Sequence, residues 1–176
     1  MNSFTSTVER LFIDDVEQAA GVYTGASGDW IGGTGELTVT TGSHTYNNWL
    51  TNYRAASVNT DFSQDPDNDG VSNGLEYYFG TDPMAHSQSL QITAKASNVV
   101  TFSHPVNSAL GEDVSAVYRW SKDLITHNFD GDDDGNGTTV NFVQGTPNNG
   151  VVEVTANITG QLPEKLFFSI KVSLNP

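Results

Sequence analysis

The chain has 176 residues, no cysteine, and 21 acidic against 7 basic residues, for a formal net charge of −14. This excludes disulfides, thiolate metal centres and a cysteine nucleophile, and it makes cations better partners than nucleic acids or anionic membranes. No run of about 18 apolar residues occurs, so no membrane insertion is expected. MNSFTSTVERLF lacks the basic-then-apolar order of a signal segment, so a leader is expected on a longer precursor or export by another route.

Residues 1–42 form an N-terminal β segment in this reading. VERLFID and ELTVT have β-rich alternation, and the Gly-rich GVYTGASGDWIGGTG between them calls for tight turns. Trp30 in this run is a candidate glycan contact, because an aromatic held among glycines can stack on a sugar ring. A lid over the β core is the favoured role, since large aromatics are on average heavily buried.

Residues 43–86 read as helix, loop, helix. Tyr46, Trp49, Leu50 and Tyr53 fall at i, i+3, i+4 and i+7, which is one apolar helical stripe. A second short helix is expected over 73–79, with Gly80 as its stop and Pro83 forbidding continuation. From residue 87 to 176 the period becomes two, through Leu90, Ile92 and Ala94, Val100 and Phe102, Ala116, Tyr118 and Trp120, Val140 and Phe142, Val152 to Ile158, and Leu166 to Leu174. Turn-rich connections such as TPNNG favour hairpins, so these strands predict a C-terminal antiparallel β-sandwich in a mainly β protein.

The loop between the helices, DPDNDGVSNGLE from Asp65 to Glu76, fits the calcium-loop pattern D-x-[DN]-x-[DN]-G-x5-E at every specified position. Calcium takes six to eight oxygen ligands, and alternating aspartates on a loop curled at Gly70 can converge on one point. Asp65, Asp67 and Asp69 would bind through side chains, Val71 through its carbonyl, Asn73 directly or through water, and Glu76 with both oxygens. Magnesium suits such a cage less, since it prefers few protein ligands in a rigid octahedron. The alternative is a solvated Asp/Asn/Gly turn. Asp82 in GTDP is either a further ligand or part of a helix-stop turn.

DGDDDG repeats half of the pattern through Asp130, Asp132 and Asp134, a candidate second metal site. Its twelfth position is Asn141 and a strand is expected where a helix should follow, so a hairpin tip is the favoured reading. His44, His86, His104 and His127 show no ligand spacing, and no nucleophile, phosphate-loop or dinucleotide motif occurs. No catalytic residue is assigned, and the chain is not expected to be an enzyme.

DPDNDGVSNGLEYYFGTDP resembles the units of thrombospondin type 3-like calcium repeats in large secreted bacterial proteins. YNNWLTNY, the Tyr118–Leu124 stretch YRWSKDL and the last strand FFSIKVSL are similar to a recurrent C-terminal region of such proteins, and LFIDDVEQAAGVYTG is similar to the strands that follow their β-helical passenger repeats. The resemblance implies a calcium-stiffened, non-catalytic module, with Asp65, Asp67, Asp69, Asn73 and Glu76 at matching positions of an EF-hand-like loop. Thrombospondin arrays string many units together, whereas this chain carries one complete unit. The expected function is a structural or adhesive module, secreted or on a bacterial surface. Its candidate partners are calcium ions, further copies of the chain in a surface polymer, a larger parent protein, and glycan. The alternative is a carbohydrate-binding module attached to a polysaccharide-degrading enzyme.

Overall fold

The computed structural model describes residues 5–8, 10–13, 16–18, 20–25, 34–40, 45–51, 60–87 and 89–175. Trp30, His44 and Tyr53 lie outside the described residues. The chain separates into two compact units, residues 1–52 and 53–176. The helix–loop–helix segment therefore divides: its first helix belongs to the N-terminal unit, and its acidic loop and second helix belong to the β-sandwich.

In the N-terminal unit the strands are β1 (Thr5–Val8), β2 (Phe12–Ile13), β3 (Val16–Glu17), β4 (Gly21–Thr24) and β5 (Glu36–Val39), followed by helix α1 (Tyr46–Thr51). VERLFID is not one strand, since β1 ends at Val8 and a two-residue hairpin arm, β2 on β3, begins at Phe12. ELTVT supplies the central β5, which pairs antiparallel with β4 and parallel with β1. Tyr46 and Leu50, four residues apart on the expected stripe, are both buried.

The second unit contains α2 (Asn73–Phe79), then β6 (Gln91–Lys95), β7 (Val99–Pro105), β8 (Val114–Ser121), β9 (Asn128–Phe129), β10 (Thr138–Gln144), β11 (Val151–Gly160) and β12 (Phe167–Leu174). These make two antiparallel sheets, in order β10-β11-β7-β6 and β12-β8-β9. The alternation in β11 buries Val152, Val154, Ala156 and Ile158, while every second residue of β7 buries Val100, Phe102 and His104. The apolar residues of this set and Val140 meet Trp120 and Phe168 of the other sheet in one core, with Phe102 stacked on Phe168 at 5.5 Å between ring centroids. The buried indole of Trp120 donates to the Phe129 carbonyl at 3.2 Å, which satisfies its N–H.

The inner face of the three-stranded sheet is shared. Toward one end Trp120 and Phe168, register partners, face the four-stranded sheet. Toward the other, Ile170, Val172 and Ala116 pack with Val71, Leu75, Tyr78 and Phe79, the apolar side of α2 and of the loop before it. Seven residues make too short a helix to persist alone in water. Its burial on the sheet, where each large side chain is worth about 1.5–3 kcal/mol, is what holds it. Gly80 ends it in the left-handed conformation at φ 74°, and its N–H returns to the carbonyls of Glu76 and Tyr77. The segment after β7 pins this end, where Asn107 donates through its backbone to the Tyr78 carbonyl at 2.9 Å and through its amide to that of Tyr77 at 3.0 Å.

Candidate metal centre

The acidic loop is wound by its own carboxylates. Asp65 accepts from the backbone N–H of Asp69 at 3.2 Å and of Gly70 at 2.9 Å, and Asp69 accepts from Val71 N–H at 2.7 Å. Asn68 and Gly70 take left-handed backbone angles, φ 61° and 90°, which glycine and asparagine adopt with least strain. The turn brings one oxygen each from Asp65, Asp67 and Asp69 within 4.8 Å of one another.

Two anchors fix this turn beneath α2. Asn73 N–H donates to the Gln64 carbonyl at 2.7 Å, Gly74 N–H to the Phe62 carbonyl at 2.9 Å, and the Asn73 amide to the Asp61 carbonyl at 3.0 Å. Farther along the chain, Ser87 donates to Asp69 through its backbone at 2.6 Å and through its hydroxyl at 3.1 Å. Burial alone would raise the Asp69 pKa, but the bonds from Ser87 and Val71 outweigh it and hold it below the usual carboxylate range.

Glu76 and Asn73 are fully buried. Both carboxylate oxygens of Glu76, Oδ1 of Asn73 and Oδ2 of Asp67 are buried without a hydrogen-bond partner. They make up four of the eight such side-chain atoms among the described residues, and all belong to residues of the sequence motif. A buried polar atom left unpaired costs about 1–3 kcal/mol, more when charged, so their coincidence in one motif marks a place where a cation would be favourable. Burial, followed by the charges of Asp67, Asp69, Asp65 and Asp82, pushes the Glu76 pKa up to about 8. A divalent cation would supply what these oxygens lack, and the all-oxygen donor set suits a hard one. The residues present thus fit a metal ion, with Asp65, Asp67 and Asp69 as the clustered part of its cage.

Asp82 is engaged otherwise. Its carboxylate accepts from Met84 N–H at 2.9 Å and its carbonyl from Ala85 N–H at 3.1 Å, the helix-stop turn. The second acidic loop is a hairpin tip whose carboxylates serve backbone donors. Asp130 accepts from Phe142 N–H at 2.7 Å, Asp132 from Phe129 N–H at 3.0 Å, and Asp134 from Asn136 N–H at 2.9 Å and Thr138 N–H at 3.0 Å. Lys122 pairs with Asp134 and holds its pKa down at about 2. Among the described residues, Asp130, Asp132 and Asp134 are not brought together as a ligand cluster.

His86 and His127 are exposed. His104 is buried between Tyr78, Phe79 and Tyr118, with Nδ1 2.6 Å from the Pro105 carbonyl and Nε2 2.9 Å from the Tyr118 hydroxyl. Burial depresses its pKa, as expected for a neutral structural histidine. Sequence reasoning missed Ser87 and Phe62. Ser87 carries no local signal, being 18 residues from the carboxylate it holds. Phe62 had one: a glycine inside a helix costs about 1 kcal/mol against alanine, and at Gly74 a Cβ would overlap the Phe62 ring.

No family model, curated protein or solved structure matches this chain.

Proposed function

We propose that the chain is a non-catalytic, calcium-stabilised structural or adhesive module of a secreted or surface-bound bacterial protein. The observation that carries the calcium reading is the buried Glu76 carboxylate, both oxygens unpartnered, beside the clustered Asp65, Asp67 and Asp69. The ligands are Asp65, Asp67, Asp69, the Val71 carbonyl, Asn73 and Glu76. Calcium is favoured over magnesium because the cage offers many protein oxygens and the side chains, rather than retained waters, surround the ion. The extracellular setting is supported by the resemblance of residues 65–83 to thrombospondin type 3-like repeats.

In this role the ion neutralises the loop and fixes α2 through Glu76, while α2 is packed on the sandwich through Tyr78 and Phe79. Calcium titration of the metal-free protein by calorimetry tests the reading. One ion per chain, with magnesium binding at least tenfold more weakly, is the expected result; no heat with either ion would refute it.

A further inference from the structure

The outer face of the three-stranded sheet has a composition at odds with the rest of the chain. Its outward positions are Ser115, Val117, Arg119 and Ser121 on β8, Phe167, Ser169, Lys171 and Ser173 on β12, and Phe129 on β9. They include two of the seven basic residues and no acid, in a chain with 21 acids. Arg119 and Lys171 are diagonal neighbours, since Arg119 lies opposite Ser169 and Val117 opposite Lys171. Neither has a carboxylate partner among the described residues; Arg119 is half-buried, with its Nε inside, while Lys171 is exposed. Two of the carboxylates that flank these strands, Asp123 and Asp132, are taken up by backbone N–H groups, those of Ile125 and Thr126 and that of Phe129. Phe129, Val117 and Phe167 remain 45, 44 and 36 % exposed around the two cations. With acids three times as numerous as bases, two neighbouring cations left free of them mark a face kept for an outside anion.

We propose that this face binds one chain of an anionic polysaccharide. Lys171 and the terminal nitrogens of Arg119 take its carboxylate or sulfate groups. Phe129 and Phe167 meet the C–H faces of the sugar rings, and the exposed Ser115 offers a hydroxyl. Size separates this occupant from a second protein. Two strands of eight residues at about 3.4 Å each, about 4.8 Å apart, with the two-residue β9 beside them, present roughly 300 Å². A stable protein partner needs about 800 Å² on each side, whereas a single polymer strand fits the narrower surface.

The test is gel retardation of the purified protein by polygalacturonate, with dextran as the neutral control and polyglutamate as the acidic polypeptide, in calcium and in EDTA. Retention by polygalacturonate alone, in both buffers, is expected. It should weaken at least tenfold in Lys171→Glu and in Phe129→Ser at unchanged melting temperature, and it should persist in Lys95→Glu, whose charge lies on the other sheet. No retention overturns the proposal, as does equal weakening by Lys95→Glu, which would signify general charge. Equal retention by polyglutamate assigns the face to an acidic polypeptide instead. Retention that needs calcium and survives Lys171→Glu places the polymer on the cation of the acidic loop, also against the proposal.

Discussion

Replacing Glu76 by Gln isolates the cation from the fold. In the metal-free protein Glu76 has its pKa pushed up to about 8 by burial and by the neighbouring aspartates, so at pH 7 it is mostly the neutral acid. Glutamine has nearly the same shape and the same lack of charge, but its unfolded chain gains nothing by releasing a proton, so the metal-free variant should melt above the metal-free wild type at pH 7. Calcium should then raise the wild type alone. At about 1 mM calcium, a site with a Kd of about 10 μM stabilises the native state by about 2.7 kcal/mol. For a unit of this size that corresponds to about 3–5 °C per kcal/mol, or a rise of about 10 °C in melting temperature. An amide cannot act as a bidentate anionic ligand, and Glu76→Gln should lose most of that rise. Thermal melts by circular dichroism, in calcium and in EDTA, read all four states. Asp123→Asn, in a turn outside both acidic loops, should respond to EDTA as the wild type does. Equal EDTA shifts in wild type and Glu76→Gln would refute the argument, since the stabilising cation would then lie elsewhere.

Because Glu76 is raised in the metal-free fold, the native state holds a proton that the unfolded chain has released. Metal-free stability should therefore fall as pH rises from about 4.5 to about 8 and then level off, a slope absent from Glu76→Gln in urea unfolding at several pH values. Calcium affinity, measured by calorimetry, should rise over the upper part of that window, because the proton must leave before the carboxylate can bind. Gly74→Ala should cost about 1–3 kcal/mol in urea unfolding, since its Cβ would overlap Phe62; an unchanged midpoint would contradict the close packing. If copies associate, cross-linking should map contacts to sheet edges such as β6, all of whose residues are exposed, and a metal-free contact centred on Asp130 to Asp134 would contradict this. The purified chain should hydrolyse no common polysaccharide, peptide or ester substrate, and turnover abolished by changing a single carboxylate would overturn that expectation.

The elements legible in the sequence were those with a local cause. The period of two in residues 152–158 and 168–174 needs only the strand's alternation, and Gly80 with Pro83 marked the end of α2 to the residue. The loop was legible for the same reason, since the order of its acids and the turn at Gly70 are encoded within twelve residues. What depends on distant partners was not. The parallel pairing of β1 with β5 joins residues about thirty positions apart, and no turn motif announces it. The two acidic loops look alike over six residues, yet Lys122, a residue of the preceding turn, provides the ammonium that meets Asp134 in the second. In the first, the nearby donors are backbone and Ser87 groups, and the Glu76 oxygens are left over.

That difference separates an acidic cluster that could hold a metal ion from a loop whose carboxylates already have donors. A hairpin tip needs its carboxylates only to close a turn, and once each has a backbone N–H or an ammonium its charge is accommodated where it stands. The first loop must do a second thing, which is to end in a helix whose side chains enter the core. Tyr78 and Phe79 lie two and three residues beyond Glu76, so the carboxylate cannot swing to water without lifting them from Ile170 and its neighbours. The packing that stabilises α2 is thus what traps Glu76 among like charges. A cation relieves that conflict at its source, and the bound ion, the helix and the sandwich should unfold as one cooperative unit.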